Sequence, residues 1–383
     1  MITANQILGS YTGQQSWLPK NTFYMCLHGS HAYGTNVEGS DYDFKGVCVA
    51  PKSYSTGFVD RFEQAERAFG DYDGAIFDVR KFLSLAVDCN PSVLEVLWAD
   101  PSTWLLNADS ARNGNHPYYE KQPGATPWQK IYEARWSFLS QEAKARYSGY
   151  AVSQAWKLEL HRQYLINPPK KKPEREDFGL GPNPEIPKEQ REFYESQIQK
   201  VIEAWNLDFG GVDYSYRIEL LNAMKYNLAD MKMSQEDQYF LAAKKLGLHE
   251  TTVESLKNER KYNASLKQWH QYQEWKVNRN PKRAEMEAKY GMDTKNAMHC
   301  IRLQRTCIEI LEGKGVQVKR PDAEELVAIR NGLYTYDQWR EEVRKLEDRA
   351  TELLKTCTLP RKPDYRKASE LCSSIVEKAW ENQ

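Results

Sequence analysis

The sequence predicts an α+β protein: a compact unit of strands and helices over about residues 1–110, followed by a mostly α-helical region. Three observations predict it. Short apolar runs bounded by Gly or Pro recur before residue 80, the pattern of buried strands. From about residue 126 the apolar positions take up helical spacing. Two Pro-rich connectors, at 167–173 and 179–187, then interrupt the helical part, as turn-forming segments do.

Residues 23–28 read as a buried strand ending at Gly29, and residues 42–50 as a second, stopped by Pro51, which cannot donate to a ladder. Residues 53–73 read as loop and hairpin, and residues 75–79 as a third strand that leads into a helix. Asp88-Cys89-Asn90-Pro91 is a helix stop and restart, with Asn90 as N-cap and Pro91 in the first turn. The helix it starts runs over 92–98. Further helices are expected near 127–164, 187–205, 215–231, 235–245 and 252–277. Others follow from Asp293 to about 312 and over 322–330, 336–356 and 364–380. The expected division is a core at 1–110, a helical region with the connectors at 111–290, and a C-terminal helical region at 291–383. No internal repeat occurs.

The 383 residues suffice for two or three domains. Lys+Arg and Asp+Glu both total 53; that balance argues against a non-specific nucleic-acid coat and leaves a local basic cleft open. No run of about eighteen apolar residues occurs, so no membrane span is expected. The N-terminus lacks a basic start and apolar core. The seven cysteines, odd in number and without C-x-x-C, fit a reduced, cytoplasmic chain without a thiolate zinc site.

The chemistry concentrates at Gly29-Ser30 and Asp41-Tyr42-Asp43. On a strand, Asp41 and Asp43 would point to one face. Two carboxylates so close repel unless a cation neutralises them, and Mg²⁺ is typically held by one or two carboxylates plus substrate phosphates. A small turn beside them lets backbone approach a phosphate. Asp-x-Asp alone also suits a solvated strand edge. Asp78, between Ile76-Phe77 and Val79, is costly there unless paired or metal-bound. It either completes a three-carboxylate cluster, if its strand lies beside the second, or caps the helix starting near Arg80.

The spacing of Gly29-Ser30, Asp41-Tyr42-Asp43 and a later strand acid at Asp78 resembles the polymerase β nucleotidyltransferase superfamily. The wider text resembles its RlaP-like predicted nucleotidyltransferases. It is carried by Gly29 to Thr35, Ser40 to Val47, Asn90 to Leu97, Gly149-Tyr150-Ala151, Asn167-Pro168-Pro169 with Asp177 to Leu180, Asp293 to His299, and Arg320 to Gly332. That family, found in bacteria and phages, is associated with RNA repair. The resemblance implies a polymerase β-type core of mixed sheet and helices. It also implies a two-metal mechanism: Asp41 and Asp43 bridging two Mg²⁺ ions (or Mn²⁺), and Asp78 on the ion that activates the acceptor hydroxyl. Gly29 and Ser30 would hold the triphosphate of an NTP.

Lys295, His299 and Arg302 follow Asp293 at helical spacing, on one face. They read either as phosphate ligands at a helix N-terminus or as a solvated basic face; the family resemblance favours the first. Arg302 also has the option of pairing with an acid. Glu95 supports the carboxylates from behind or bonds a backbone group. The aromatic–basic stretch Trp269, Tyr272, Trp275, Lys276, Arg279, Lys282, Arg283 reads as a packed helix face or a platform for an unpaired nucleic-acid end. The expected reaction is transfer of a nucleoside monophosphate to a hydroxyl, with an RNA 3′ end or tRNA as first choice of acceptor. A protein hydroxyl, or silent binding of nucleotide or nucleic acid, stands as the alternative.

Overall fold

A mixed sheet ordered β3-β4-β2-β1-β5 organises the N-terminal part of the chain. The computed structural model describes residues 2–58, 60–106, 126–204 and 235–381. The strands are β1 (Thr22–His28), β2 (Asp43–Cys48), β3 (Gln64–Glu66), β4 (Asp73–Asp78) and β5 (Trp104–Leu106). β1 runs antiparallel to β2 and β5, β2 runs parallel to β4, and β3 is antiparallel to β4. The three expected strands are present. β3 and β5, three residues each, are too short to show a period in sequence.

Both faces of the sheet are covered. Tyr24, Cys26, Val47, Ala75 and Phe77 enter one core; Met25, Phe44 and Ile76 enter a second, with Ile7, Leu18 and Phe69. Strands buried on both faces read as near-continuous apolar runs, which is why these were legible.

The helices are α1 (Ala4–Gly9), α2 (Leu18–Asn21), α3 (Gly29–Tyr33), α4 (Ser53–Thr56), α5 (Val79–Val87), α6 (Pro91–Leu97), α7 (Pro127–Glu133), α8 (Glu142–Ile166), α9 (Lys188–Ala204) and α10 (Gln235–Lys245), followed by α11 (Glu250–Asn278), α12 (Pro281–Tyr290), α13 (Thr294–Leu311), α14 (Ala323–Arg330), α15 (Tyr336–Thr356) and α16 (Tyr365–Glu381). The helix expected over 127–164 is two, because a 3₁₀ turn over 134–138 intervenes and the Ser140 hydroxyl accepts from Glu142 N–H at the restart. The helix expected at 215–231 lies outside the described residues. Asn90 caps α6 through Val93 N–H with Pro91 in its first turn, as its sequence requires.

The chain forms two compact units, residues 1–165 with 280–383, and residues 166–279. In the first, the C-terminal helices share the core of the sheet: Met298, Ile301, Leu326, Trp339 and Val376 cluster with Tyr24, Phe82 and Leu94. Backbone carbonyls fix that packing, Trp339 Nε1 donating to Ala297 at 3.1 Å and Trp380 Nε1 to Ala50 at 3.0 Å. The second unit has its own small core of Ile198, Tyr239, Ala242, Val253 and Leu256, and its buried Glu259 is held by Arg175 and Arg191. Among the described residues no helix is long and apolar enough to cross a membrane.

Candidate active site

Three strands bring three ionisable side chains into one row. His28 pairs with Asp43 across β1 and β2, and Asp43 pairs with Asp73 across β2 and β4. Neighbouring strands lie about 4.8 Å apart. By alternation the row shares the face of Cys26, Val47 and Ala75. Asp41 precedes β2 and is exposed, as is Asp73, while Asp43 is half-buried. Burial raises the Asp43 pKa; the charges of Asp73 and Asp41 push it further up, and His28 and Lys295 pull it down. A carboxylate crowded by two others at a sheet end is a site that attracts a divalent cation.

Asp78 does not belong to that row. It pairs with Cys48 at the opposite end of the β2–β4 ladder, five residues from Asp73, which is about 16 Å along the strand. Five is odd, so alternation also turns it to the other face. Its carboxylate is buried and consumed locally: Oδ2 accepts from Ala50 N–H at 3.1 Å, and Oδ1 from Arg80 N–H at 3.0 Å and Arg80 Nε at 2.7 Å. Asp78 is the N-cap of α5. The expected cluster of Asp41, Asp43 and Asp78 is therefore not assembled, and Asp73 stands where the third acid was sought.

Gly29 opens α3 with φ +64°, and a methyl group there would overlap Asp43 Oδ2. The Asp43 carboxylate thus lies against bare backbone at the turn that carries Ser30. Gly29→Ala is expected to strain the left-handed backbone by about 1–2 kcal/mol and to displace Asp43. A shift of about 1 Å at a reacting group costs on the order of 10²-fold. Steady-state pyrophosphate release beside a thermal melt checks both effects.

Cations face the acid row from the C-terminal helices. Lys295, in the first turn of α13, is half-buried. Burial and the nearby Arg283 and Arg330 lower its pKa, while Asp43 and Asp293 raise it. Asp293 caps α13 through Asn296 N–H and accepts from Arg283 at 3.2 Å. His161, Glu287 and Asp293 are the group of metal-type donors whose ligand atoms lie within 4.8 Å of one another among the described residues. Asp41, Asp43 and Asp73 are spread more widely, as suits a site completed by phosphate and water.

Behind the row lies a cavity of 720 Å³, lined from β1, α3, α6, α8, α12 and α13. On its floor Arg302 donates to Glu95 Oε1 at 2.5 Å and lies 3.9 Å from the Tyr33 ring centre. The Tyr33 hydroxyl donates to Glu95 Oε2 at 2.6 Å, and His28 Nε2 lies 3.3 Å from that oxygen, outside good hydrogen-bond geometry. Against the cost of burial, Arg302 and then His28 hold the Glu95 carboxyl well below its usual range. Arg302 is thus committed to Glu95 instead of standing free for phosphate. His299 lines the same cavity; burial, with Arg302 and Lys295 nearby, lowers its pKa to about 3, so the ring is neutral at physiological pH.

Residues 8–105 match the model of RlaP, described as an RNA repair pathway DNA polymerase beta family. This segment is an RlaP-family domain. No curated protein and no solved structure matches the chain. The RlaP domain contains the acid row, the Gly29 turn and Glu95, whereas Lys295, Asn296, His299 and Arg302 lie beyond the matched residues.

Three site residues escaped the sequence reading. Asp73 opens β4 as Asp43 opens β2, but an acid beside a Gly reads as a turn. Arg283 and Arg330 face Lys295; each sat in a segment already noted, yet only the folded chain shows which basic residues converge. Around the aromatic–basic stretch, Trp269, Tyr272 and Trp275 are neighbours along α11, and Arg279 lies 4.5 Å from the Trp275 ring centre.

Proposed function

We propose that the chain is a metal-dependent nucleotidyltransferase that moves a nucleoside monophosphate from an NTP to a hydroxyl, with an RNA 3′ end or tRNA as acceptor. One observation supports this most: Asp43, with Asp73 and Asp41 beside it at the end of the β2–β4 ladder, lies near Lys295, and Arg283 and Arg330 gather around that lysine. Carboxylates alone would repel a triphosphate, and cations alone would bind any anion. Together they suit a phosphate chain that arrives with a metal.

The donor set fits Mg²⁺ or Mn²⁺. Asp41, Asp43 and Asp73 offer hard oxygens; burial raises the Asp43 pKa, while His28 and Lys295 offset the charges of Asp73 and Asp41. These three acids would hold the ions. When bound, divalent cations in such a site neutralise phosphate charge and favour the ionised form of an attacking hydroxyl. Lys295, with Arg283 and Arg330 beside it, binds the β- and γ-phosphates and stabilises the charge on departing pyrophosphate. Gly29 admits the Asp43 carboxylate against the turn, and the Ser30 hydroxyl beside it would donate to the α-phosphate.

The RNA acceptor rests on the description of the matched family. The test is pyrophosphate release from each NTP with Mg²⁺, with and without total RNA, beside Asp41→Ala/Asp43→Ala. RNA-stimulated release that disappears in the double variant supports the proposal. Label entering protein would move the acceptor to a protein hydroxyl. Mg²⁺-NTP binding without release under any condition would overturn the enzymatic reading in favour of a binding protein.

A further inference from the structure

We propose that the cleft between α8 and α13 is the nucleoside subsite, in which Asn296 and His299 face the base and set which NTP is accepted. This rests on the nucleotidyltransferase reading and specifies it.

The cavity is the right size. Its 720 Å³ falls within the roughly 300–1,000 Å³ of small-molecule pockets. Its walls are two helix stripes. Asn296, His299 and Leu303 line it from α13, and Tyr150, Gln154 and Lys157 from α8, each set at helical spacing. Asn296 is only 7% exposed, yet its side-chain amide makes no hydrogen bond to any described residue. Its N–H serves the cap of Asp293 instead. The amide is open to the cavity, where a ligand can complete its hydrogen bonds. The side chains of His299 and Gln154 are likewise without a hydrogen-bond partner among the described residues.

The chemistry of this wall differs from that of the acid row. His299 is neutral at physiological pH, so it offers one donor and one acceptor instead of a charge. An amide at Asn296 and another at Gln154 add paired donors and acceptors. That set matches the edge of a nucleobase and is a poor trap for phosphate. Tyr150, half exposed at the rim, offers a face for stacking. Of the cations assigned to phosphate, Lys295 acts on Asp43 and has Arg330 beside it, neither lining the cavity, while Arg283 lines the cavity with Lys157 and the Glu95-paired Arg302. A nucleotide would therefore find the acids and Lys295 at the sheet end, and two amides with a neutral imidazole between the helices, beside the Glu95–Arg302 pair. His299, expected from sequence as a phosphate ligand, is reassigned to the nucleoside.

The experiment measures Mg²⁺-dependent dissociation constants of the full chain for the four NTPs and for inorganic tripolyphosphate. The variants are His299→Ala, Asn296→Ala, Gln154→Ala and Lys295→Ala. The wild type is expected to rank the NTPs. His299→Ala and Asn296→Ala should each weaken the preferred NTP by roughly 5–10-fold, level the ranking and leave tripolyphosphate within about twofold. Lys295→Ala should weaken tripolyphosphate and all four NTPs alike. Gln154, on the partly exposed wall, keeps the test decisive if the α13 variants fail to fold. Tripolyphosphate weakened as much as the NTPs in His299→Ala would overturn the proposal by making His299 a phosphate ligand. An unchanged ranking in the Asn296, His299 and Gln154 variants would overturn it by placing the base elsewhere. A wild type that binds neither probe would instead remove the nucleotidyltransferase reading on which the subsite depends.

Discussion

Asp73→Asn is expected to lower pyrophosphate release by about 10²–10³-fold, the usual scale for removing one group that stabilises transition-state charge, and to leave stability within about 0.5 kcal/mol because the side chain is exposed. Asp78→Ala is expected to do the reverse. Its carboxylate is 1% exposed and accepts three hydrogen bonds at the start of α5. Loss of the cap costs about 1 kcal/mol, and leaving the buried Ala50 N–H unpaired adds about 1–3 kcal/mol. The two acids close and open the same six-residue strand, so the pair of variants separates catalysis from folding within β4. Thermal melts and pyrophosphate release on both proteins check it. Equal loss of activity at constant stability in Asp78→Ala would return Asp78 to the active site.

The second large effect is at Glu95. Glu95→Gln leaves Arg302, itself only 5% exposed, without its counter-charge. Breaking a buried pair by removing one partner costs about 3–5 kcal/mol, a fall in melting temperature on the order of 10 °C for a body of this size. Arg302→Met alone should cost a similar amount, since the carboxylate is then the orphan. The double variant Glu95→Leu/Arg302→Met should be more stable than either single one, because an apolar pair demands no compensation. A double-mutant cycle of Glu95→Leu, Arg302→Met and the double variant measures this coupling. A cycle that closes near zero would mean that Tyr33 and His28, not Arg302, hold the Glu95 carboxylate.

The fold was legible where local physics decides. The runs at 23–28 and 42–50 are buried on both faces, so their sequences needed no partner to declare themselves. Asn90-Pro91 announced α6 because capping is a contact over three residues. The same signal at Asn280-Pro281, which caps α12 in the same manner, was masked by the surrounding charge. The site was legible only in part. An acid set between bulky apolar residues stands out in a sequence, as Asp78 does between Ile76-Phe77 and Val79. A carboxylate proposed to meet a metal must instead keep water and phosphate within reach; Asp43 and Asp73, at a strand end and half or fully exposed, meet that condition. Only the parallel register of β2 and β4 reveals that pairing. Arg302 was named as a phosphate ligand for its helical spacing, but spacing gives a direction, not a partner. Glu95, 207 residues away in sequence, claims it.

The shared core of the sheet and the late helices has a consequence for the chain during synthesis. Leu106 ends the last strand among the described residues, and Thr294 begins α13. At about 5–20 residues per second the sheet leaves the ribosome roughly 10–40 s before the helix that completes its core. In that interval Tyr24, Phe82 and Leu94 lack their final neighbours, and the acids at the sheet end lack Lys295 and Arg330. A nascent or interrupted chain would therefore expose the acid row without the cations that act on it. The complete core, and with it the pairing of acids and cations, arrives with the last quarter of translation.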